Sequence, residues 1–148
     1  MPQRQGQSPA LPDEPPVDAG SRVAAALLFA QLLLVMIVAE LLVRMLPFRR
    51  FAPLVGRMRG DAPAPPALAA RVRRLTLKAG DWLPWDAKCL VRSIAGRTVL
   101  GWRGYASELS LGLDIDGPAL AAHAWLEAGG IVVSGADEMR KFREVTRL

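Results

Sequence analysis

The feature that most constrains this chain is a long apolar run near its amino terminus. Residues Val23–Ala39 are 17 consecutive positions without a charged side chain, interrupted only by the amide of Gln31. As a helix, this run would be about 26 Å long, slightly shorter than the roughly 30 Å hydrocarbon core of a bilayer. Because burying apolar surface away from water is favourable, the run is expected to be covered by protein or by lipid.

Extending the helix to Leu46 makes it long enough to span a bilayer, but it adds Glu40 and Arg44, which are four residues apart and can pair on one helix face. Gln31 and Glu40 lie about 180° apart around the helix, so the segment has no separate polar face. The helix is therefore either buried in the protein or against a partner, or it contacts the membrane through residues 23–46. We expect a cytoplasmic protein, free or associated with the inner face of the cell membrane.

The segments on both sides of this run are polar. Residues 1–20 contain five prolines and few large apolar side chains, which predicts a disordered tail. Pro47 ends the apolar helix, and residues 44–78 then carry nine basic side chains against one acid, Asp61. This basic belt indicates either a solvated face with a connecting loop, or a patch for anionic lipid head groups or an acidic peptide. Nucleic acid is not expected as a partner, because no helix-turn-helix or zinc-finger pattern accompanies the belt.

Two helices are predicted after the belt. A short helix covers about Leu68–Lys78, and a second helix runs to about Leu100. Asp86 is the predicted N-cap of the second helix, which makes Cys89 its third residue.

The carboxyl-terminal part of the chain predicts a small sheet. Alternating apolar residues indicate strands over Glu108–Ile115 and Ala121–Ala128. Gly129-Gly130 predicts a two-residue hairpin turn into a third strand, Ile131–Ser134. The charged segment Asp137–Leu148 is predicted as either a short helix or an edge strand.

The chain has one cysteine and one histidine. These counts exclude an internal disulfide framework, a cysteine-cluster metal site and the common multi-histidine centres, so we expect no metal and no cofactor. A thiol nucleophile can only be Cys89, and an imidazole that activates it can only be His123. The first turn of a helix favours a thiolate, and Trp82 and Trp85 would wall the site against water. On spacing alone, an inert packed cysteine is the commoner case.

Sequence motifs around these two residues carry a resemblance. Cys89–Ser93 reads Cys-Leu-Val-Arg-Ser, Leu109–Leu113 reads Leu-Ser-Leu-Gly-Leu, and Ala122–Glu127 reads Ala-His-Ala-Trp-Leu-Glu. In this order and spacing they closely resemble the lasso-peptide biosynthesis B proteins of the leader-peptidase type, which belong to the transglutaminase-like cysteine protease superfamily. The resemblance runs from about Trp82 to Ser134.

The resemblance implies an α+β fold. A nucleophile helix would pack on a small antiparallel sheet, as in transglutaminase-like and papain-like cores, with an N-terminal helical extension. The implied organisation is a disordered tail at 1–20, the apolar helix and basic linker at 21–66, and the transglutaminase-like protease core at 67–148.

The resemblance also implies a function. Such proteins remove the leader from a lasso-peptide precursor, so that a separate asparagine-synthetase-like cyclase can close the macrolactam. Cys89 would attack the scissile carbonyl, its backbone N–H would form part of the oxyanion hole, and His123 would act as general base and acid. The motif residues Arg92, Ser93, Trp125 and Glu127 are expected to be structural, with Arg92 tying the helix to the sheet.

The third position of the expected catalytic triad departs from the family pattern. The family usually places an aspartate twelve residues after the histidine, where this chain has Gly135; Asp137 comes two residues later. With a tight hairpin turn, Ser134 would share the His123 face and Asp137 would point away, unless a bulge near Gly135 turned it inward. Asp137 is therefore the candidate, and a backbone carbonyl, Ser134 or a Cys–His dyad are the alternatives.

Some members of the family carry an additional N-terminal domain of PqqD-like fold that recognises the leader. Residues 1–20 and the apolar helix leave no room for it here, which implies a separate PqqD-like recognition protein as partner beside the precursor peptide and the cyclase. Two other functions stay open: an acyltransferase that uses the same Cys–His pair, and a non-catalytic, membrane-anchored adaptor of the same biosynthetic complex.

Overall fold

The computed structural model describes residues 19–86, 88–114, 121–136 and 143–148. Within them, four helices precede four strands. The helices are α1 (Ala19–Met45), α2 (Phe48–Arg57), α3 (Pro66–Trp82) and α4 (Cys89–Trp102). The strands are β1 (Glu108–Asp114), β2 (Ala121–Ala128), β3 (Ile131–Ser134) and β4 (Arg143–Arg147). This arrangement confirms the predicted α+β class with a helical N-terminal part.

One face of α1 belongs to the hydrophobic core. Leu28, Leu32, Met36 and Ala39 follow one another at helical spacing and are all buried, and the helix packs against α3 and α4. The predicted pair on this helix is present, with Arg44 Nε donating to Glu40 Oε1 at 2.7 Å. Within the described residues, the stretch Gly20–Met45 is the one helix long and apolar enough to cross a bilayer, and a third of its most apolar window is buried in protein.

Helix α2 was not predicted, because its sequence was interpreted as part of the basic belt and a connecting loop. Phe51 and Val55 are four residues apart and bury one side of this short helix, although Pro53 lies inside it. Helix α3 is longer than predicted, since Pro66 occupies its first position and the helix continues to Trp82.

Helix α4 begins later than predicted. Its N-cap is Lys88, with no side-chain capping bond, so Cys89 is the first residue of the helix and not the third. The prediction that Asp86 caps this helix is therefore wrong. A side-chain cap stabilises a helix start by only about 1 kcal/mol, which tertiary packing can outweigh. The helix packs closely on the sheet at Gly96, where a Cβ atom would lie 2.7 Å from Leu126 Cδ2.

The sheet is antiparallel in the order β3-β2-β1-β4. Strands β2 and β3 have the predicted bounds, and the turn between them places Gly129 and Gly130 at φ of 58° and 74°, as a tight hairpin turn requires. Strand β4 pairs with β1 at the sheet edge, so the edge-strand alternative holds for 143–147. Residues 137–142 lie outside the described part.

A bulge changes the side-chain parity of β3. Glu127 is opposite Val132, but the next residue of β2, Leu126, is opposite Ser134, so Val133 is an additional residue. As a result, Ser134 faces α4, where its hydroxyl contacts Ser93. The prediction that Ser134 shares the His123 face is wrong, because it assumed regular pairing beyond the turn.

A buried arginine connects α2, α4 and the sheet. The side chain of Arg97 in α4 is fully buried and donates to four backbone carbonyl groups at 2.7–3.2 Å. The acceptors are Val55, Gly56, Ser107 and Leu148. Desolvation lowers the pKa of the Arg97 guanidinium, and the nearby charge of Arg59 lowers it further. No pattern in the local sequence marks Arg97 for this role.

Candidate active site

The thiol of Cys89 lies against strand β2. Its Sγ atom accepts a hydrogen bond from the backbone N–H of Ala124 at 3.4 Å. The pairing of β3 with β2 ends at Leu126, so the N–H of Ala124 is not part of the pairing between these strands. Because Ala124 directly follows His123, the first residue of α4 and the histidine strand meet here, as the sequence predicts.

The imidazole of His123 is oriented by a backbone carbonyl. It is 8% exposed, and its Nε2 atom lies 2.9 Å from the carbonyl oxygen of Gly135. Since a carbonyl can only accept, Nε2 carries the proton in this contact, and Nδ1 is the basic nitrogen of the neutral ring. The indole of Trp125 stacks on the imidazole, with ring centroids 6.3 Å apart and planes inclined by 26°.

The backbone at Gly135 accounts for the departure from the family pattern. Its φ is +78°, and a Cβ atom there would lie 2.4 Å from the carbonyl oxygen of Ala124. An aspartate at this position would clash with the backbone, so the place where the family carries its third residue has no side chain in this conformation. Asp137, the predicted third member, lies outside the described residues and stays a prediction.

Ser134 has a different role from the one considered for it. Its hydroxyl and that of Ser93 are 2.7 Å apart in a buried hydrogen bond between β3 and α4. This contact makes Ser93 structural, and it directs Ser134 towards the helix and away from the imidazole. Of the three alternatives to Asp137, the backbone carbonyl has a described contact with His123.

The side chain of Arg92 lies beside helix α3. A Cβ on Gly80 of α3 would lie 2.7 Å from its Nε atom, which is buried and has no hydrogen-bond partner within the described part of the chain. The next residue, Ser93, contacts the sheet through Ser134, and the role of Arg92 in tying α4 to the sheet stays a prediction.

The two tryptophans before the nucleophile contact α1. Trp82 is 67% exposed and packs edge-on against Phe29, and the guanidinium of Arg44 lies 6.0 Å from the centre of the Trp85 ring. Their predicted role as walls of the Cys89 site stays a prediction.

Glu127 lies at the other end of β2 from His123, directly opposite Glu108 of β1. Arg147 of β4 donates to Glu108 at 3.0 Å and also to Glu144. The hydrogen bond between Arg147 and Glu144 lowers the pKa of the Glu144 carboxyl. The motif glutamate therefore belongs to a charged cluster on the sheet and makes no described contact with the imidazole.

Among the residues that the structure describes, no group of three or more His, Cys, Asp or Glu side chains is placed to hold a metal ion. The expectation that the protein uses no metal and no cofactor stays a prediction.

Comparison with known families decides the membership of the chain. A family model described as the transglutaminase-like superfamily matches residues 33–147. The chain belongs to the transglutaminase-like superfamily. Its members are generally Cys-His-Asp enzymes and include cysteine proteases and acyltransferases. Neither the curated proteins nor the solved structures contain a match.

The superfamily match extends well beyond the active-site motifs. It begins within α1 and ends in β4, so it includes the carboxyl-terminal part of the apolar helix as well as the thiol and the imidazole. Sequence reasoning identified Cys89 and His123 but missed the N–H of Ala124 that the thiol contacts. A contact made by a backbone group leaves no pattern of side chains in the sequence. For the carbonyl of Gly135, the one available signal was a glycine at the position where the resemblance implies an aspartate.

Proposed function

We propose that this transglutaminase-like protein is a cysteine endopeptidase that removes the leader peptide from a lasso-peptide precursor. The observation that carries the proposal is the position of the Cys89 thiol, 3.4 Å from the N–H of the residue that follows His123. The Cys-Leu-Val-Arg-Ser and His-Ala-Trp-Leu-Glu motifs that contain these residues supply the substrate class through their resemblance to the lasso-peptide B proteins.

The proposed mechanism uses Nδ1 of His123 as the proton acceptor. It takes the proton of the Cys89 thiol, and the thiolate attacks the scissile carbonyl carbon to form a tetrahedral intermediate. The imidazolium then protonates the leaving amine as the C–N bond breaks, which leaves a thioester on Cys89. Water, deprotonated by the same imidazole, hydrolyses the thioester and releases the leader with a free carboxyl end.

Backbone N–H groups lie beside the Cys89 thiol at the helix start and on the strand. Cys89 is the first residue of α4, where the backbone N–H groups of the first turn have no acceptors within the helix. The N–H of Ala124 adds a donor directed at sulfur. Both place positive partial charge beside a thiolate, and the N–H of Cys89 itself is the proposed oxyanion donor.

The same proposal includes the partners. The core peptide would be closed by a separate asparagine-synthetase-like cyclase, and the leader would be presented by a separate PqqD-like recognition protein. The proposed location is the cytoplasm, free or at the inner face of the membrane.

Cleavage of a purified precursor, followed by mass spectrometry, tests this proposal. We expect wild-type protein, supplied with the recognition protein, to give free leader and free core, and Cys89→Ala and His123→Ala to give neither. Arg103→Met, which changes an exposed side chain on the far end of α4, is the matched control and should cleave normally.

Other products would identify the alternatives. A leader joined through its carboxyl end to an added amine, with little free acid, would indicate an acyltransferase. Undiminished lasso-peptide production by cells that carry Cys89→Ala would contradict catalysis and indicate an adaptor.

A further inference from the structure

An apolar groove lies between α1, α2 and α4, on the far side of α4 from the sheet. It has a volume of about 220 Å³ and presents only apolar surface. Large side chains from all three helices form it: Leu34, Val38, Phe51, Leu54, Met58 and Trp102. Neither Cys89 nor His123 lines it, so it is separate from the candidate active site.

The rim of the groove consists of exposed apolar side chains. Leu34 is 61% exposed, Leu54 50% and Trp102 59%. The apolar surface continues along α1 through Val38, Leu41 and Met45, which are also exposed. A concave apolar groove joined to a stripe of this kind is typical of protein interaction sites.

The charge around the groove has one sign. Between residues 19 and 60, the sequence contains one acid, Glu40, which is buried and paired with Arg44. The cations of α2, which forms one wall of the groove, are exposed: Arg49, Arg50 and Arg57. A ligand that covers this groove is therefore favoured if its edges are acidic.

We propose that this groove binds an amphipathic helix of a partner protein, with large apolar side chains at i, i+3 or i+4, and i+7, and with acidic residues along its edges. One apolar anchor would fill the space between Phe51, Met58 and Trp102, and the next would lie along the stripe on α1. This is the helix-in-groove mode of recognition, in which buried anchors supply most of the affinity and charges set the choice of partner. The inference does not depend on the proposed proteolysis.

Two other occupants fit the observations less well. A second copy of this chain would bring the same arginines of α2 face to face, which opposes association. A membrane surface would have to bind α1 as a helix that lies in the interface. Such helices are rich in Lys and Arg, and α1 has neither from Val23 to Val43. Spanning the bilayer would require Leu32 and Met36 to leave the core, where both are fully buried.

The proposal can be tested with a synthetic acidic peptide. A fluorescein-labelled amphipathic helix of about 18 residues, with Leu and Phe on one face and Glu on its edges, is titrated with the full chain, and anisotropy is recorded. We expect saturable binding that weakens with salt, and at least about tenfold weaker binding to Leu54→Glu. Val145→Glu, at a residue of β4 that is 61% exposed, is the matched control, and its Kd for the peptide should be within about twofold of that of wild type.

A second peptide keeps the apolar positions and replaces each Glu by Lys. It should bind at least about tenfold more weakly than the acidic peptide if charge complementarity is correct. Equal binding of the two peptides, equal binding to wild type and Leu54→Glu, or no saturable binding would each overturn the proposal.

Two further measurements identify the competing occupants. Light scattering that shows a dimer, converted to a monomer by Leu34→Glu, would assign the groove to a second copy. Co-flotation with phosphatidylglycerol vesicles that is lost in Leu34→Glu and Leu54→Glu, in a protein that binds neither peptide, would assign it to a membrane surface.

Discussion

The Nε2 atom of His123 lies 2.9 Å from the carbonyl oxygen of Gly135, twelve residues along the chain. The resemblance to the lasso-peptide B proteins implies an aspartate at this position, and a carboxylate can both orient an imidazole and stabilise its protonated form. A carbonyl oxygen can orient the imidazole by accepting its N–H. Because it carries only a partial negative charge, it stabilises the protonated imidazole less than a carboxylate would. The geometry therefore fixes the tautomer of His123 without a side chain at position 135.

Replacing Gly135 should reduce activity because it displaces this carbonyl. In Gly135→Ala, the new Cβ would lie 2.4 Å from the carbonyl oxygen of Ala124, at a φ that side chains rarely adopt. We expect cleavage to slow by about tenfold or more, with circular dichroism showing a folded protein.

The matched control for this change is Gly130→Ala in the hairpin turn. Its φ is +74°, close to that of Gly135, but nothing lies within 4 Å of the added carbon. It should lose about 1–2 kcal/mol of stability from backbone strain and keep its activity. Similar activity losses in both variants would show that strain, and not displacement of the carbonyl, is responsible.

Asp137→Ala should lower cleavage far less than His123→Ala. Since Gly135 already accepts the Nε2 proton, we expect a loss of about tenfold or less for Asp137→Ala and of at least about a hundredfold for His123→Ala. Single-turnover cleavage of the precursor at saturating protein measures both. Near-complete loss in a folded Asp137→Ala protein would establish Asp137 as an essential third residue.

The Ser93–Ser134 bond should appear as a coupling energy. Each single alanine variant leaves a buried hydroxyl without its partner and should lower the free energy of unfolding by about 1–3 kcal/mol. The double variant removes both hydroxyls, so it should lose clearly less than the sum of the two. Urea unfolding of the four proteins measures the cycle, and additive losses would contradict a direct bond.

Arg97→Met should destabilise the fold strongly. The change removes donors to four backbone carbonyls, which then remain in the interior with fewer partners, so we expect a loss of at least about 3 kcal/mol. Arg103→Met, which removes only surface hydrogen bonds to Val99 and Gln31, should change stability by about 1 kcal/mol or less. Equal urea midpoints for the two variants would contradict a structural role for Arg97.

Local sequence signals predicted the hairpin well. Strands β2 and β3 and the turn at Gly129-Gly130 have the predicted bounds, since alternation and a two-glycine turn are both encoded within a few residues. The Glu40–Arg44 pair was predicted for the same reason, because a spacing of four fixes it within one helix.

The features that were missed depend on contacts distant in sequence. Helix α2 is stabilised by the burial of Phe51 and Val55 against the other helices, which outweighs its internal proline. The bulge at Val133 places Val133 and Ser134 both against α4, whereas consecutive side chains of a regular strand point to opposite faces of the sheet. The start of α4 at Cys89 likewise follows from packing, and no capping side chain marks it.

The contact at Gly135 also means that part of this site depends on a backbone torsion angle and not on a side-chain functional group. A positive φ at one glycine directs an oxygen at the imidazole, and any substitution that alters that angle acts on the chemistry without changing a reactive atom. Replacing the amide that follows Gly135 with an ester, which removes the N–H of Ala136 and weakens the Gly135 carbonyl as an acceptor, would weaken this contact and leave every side chain in place.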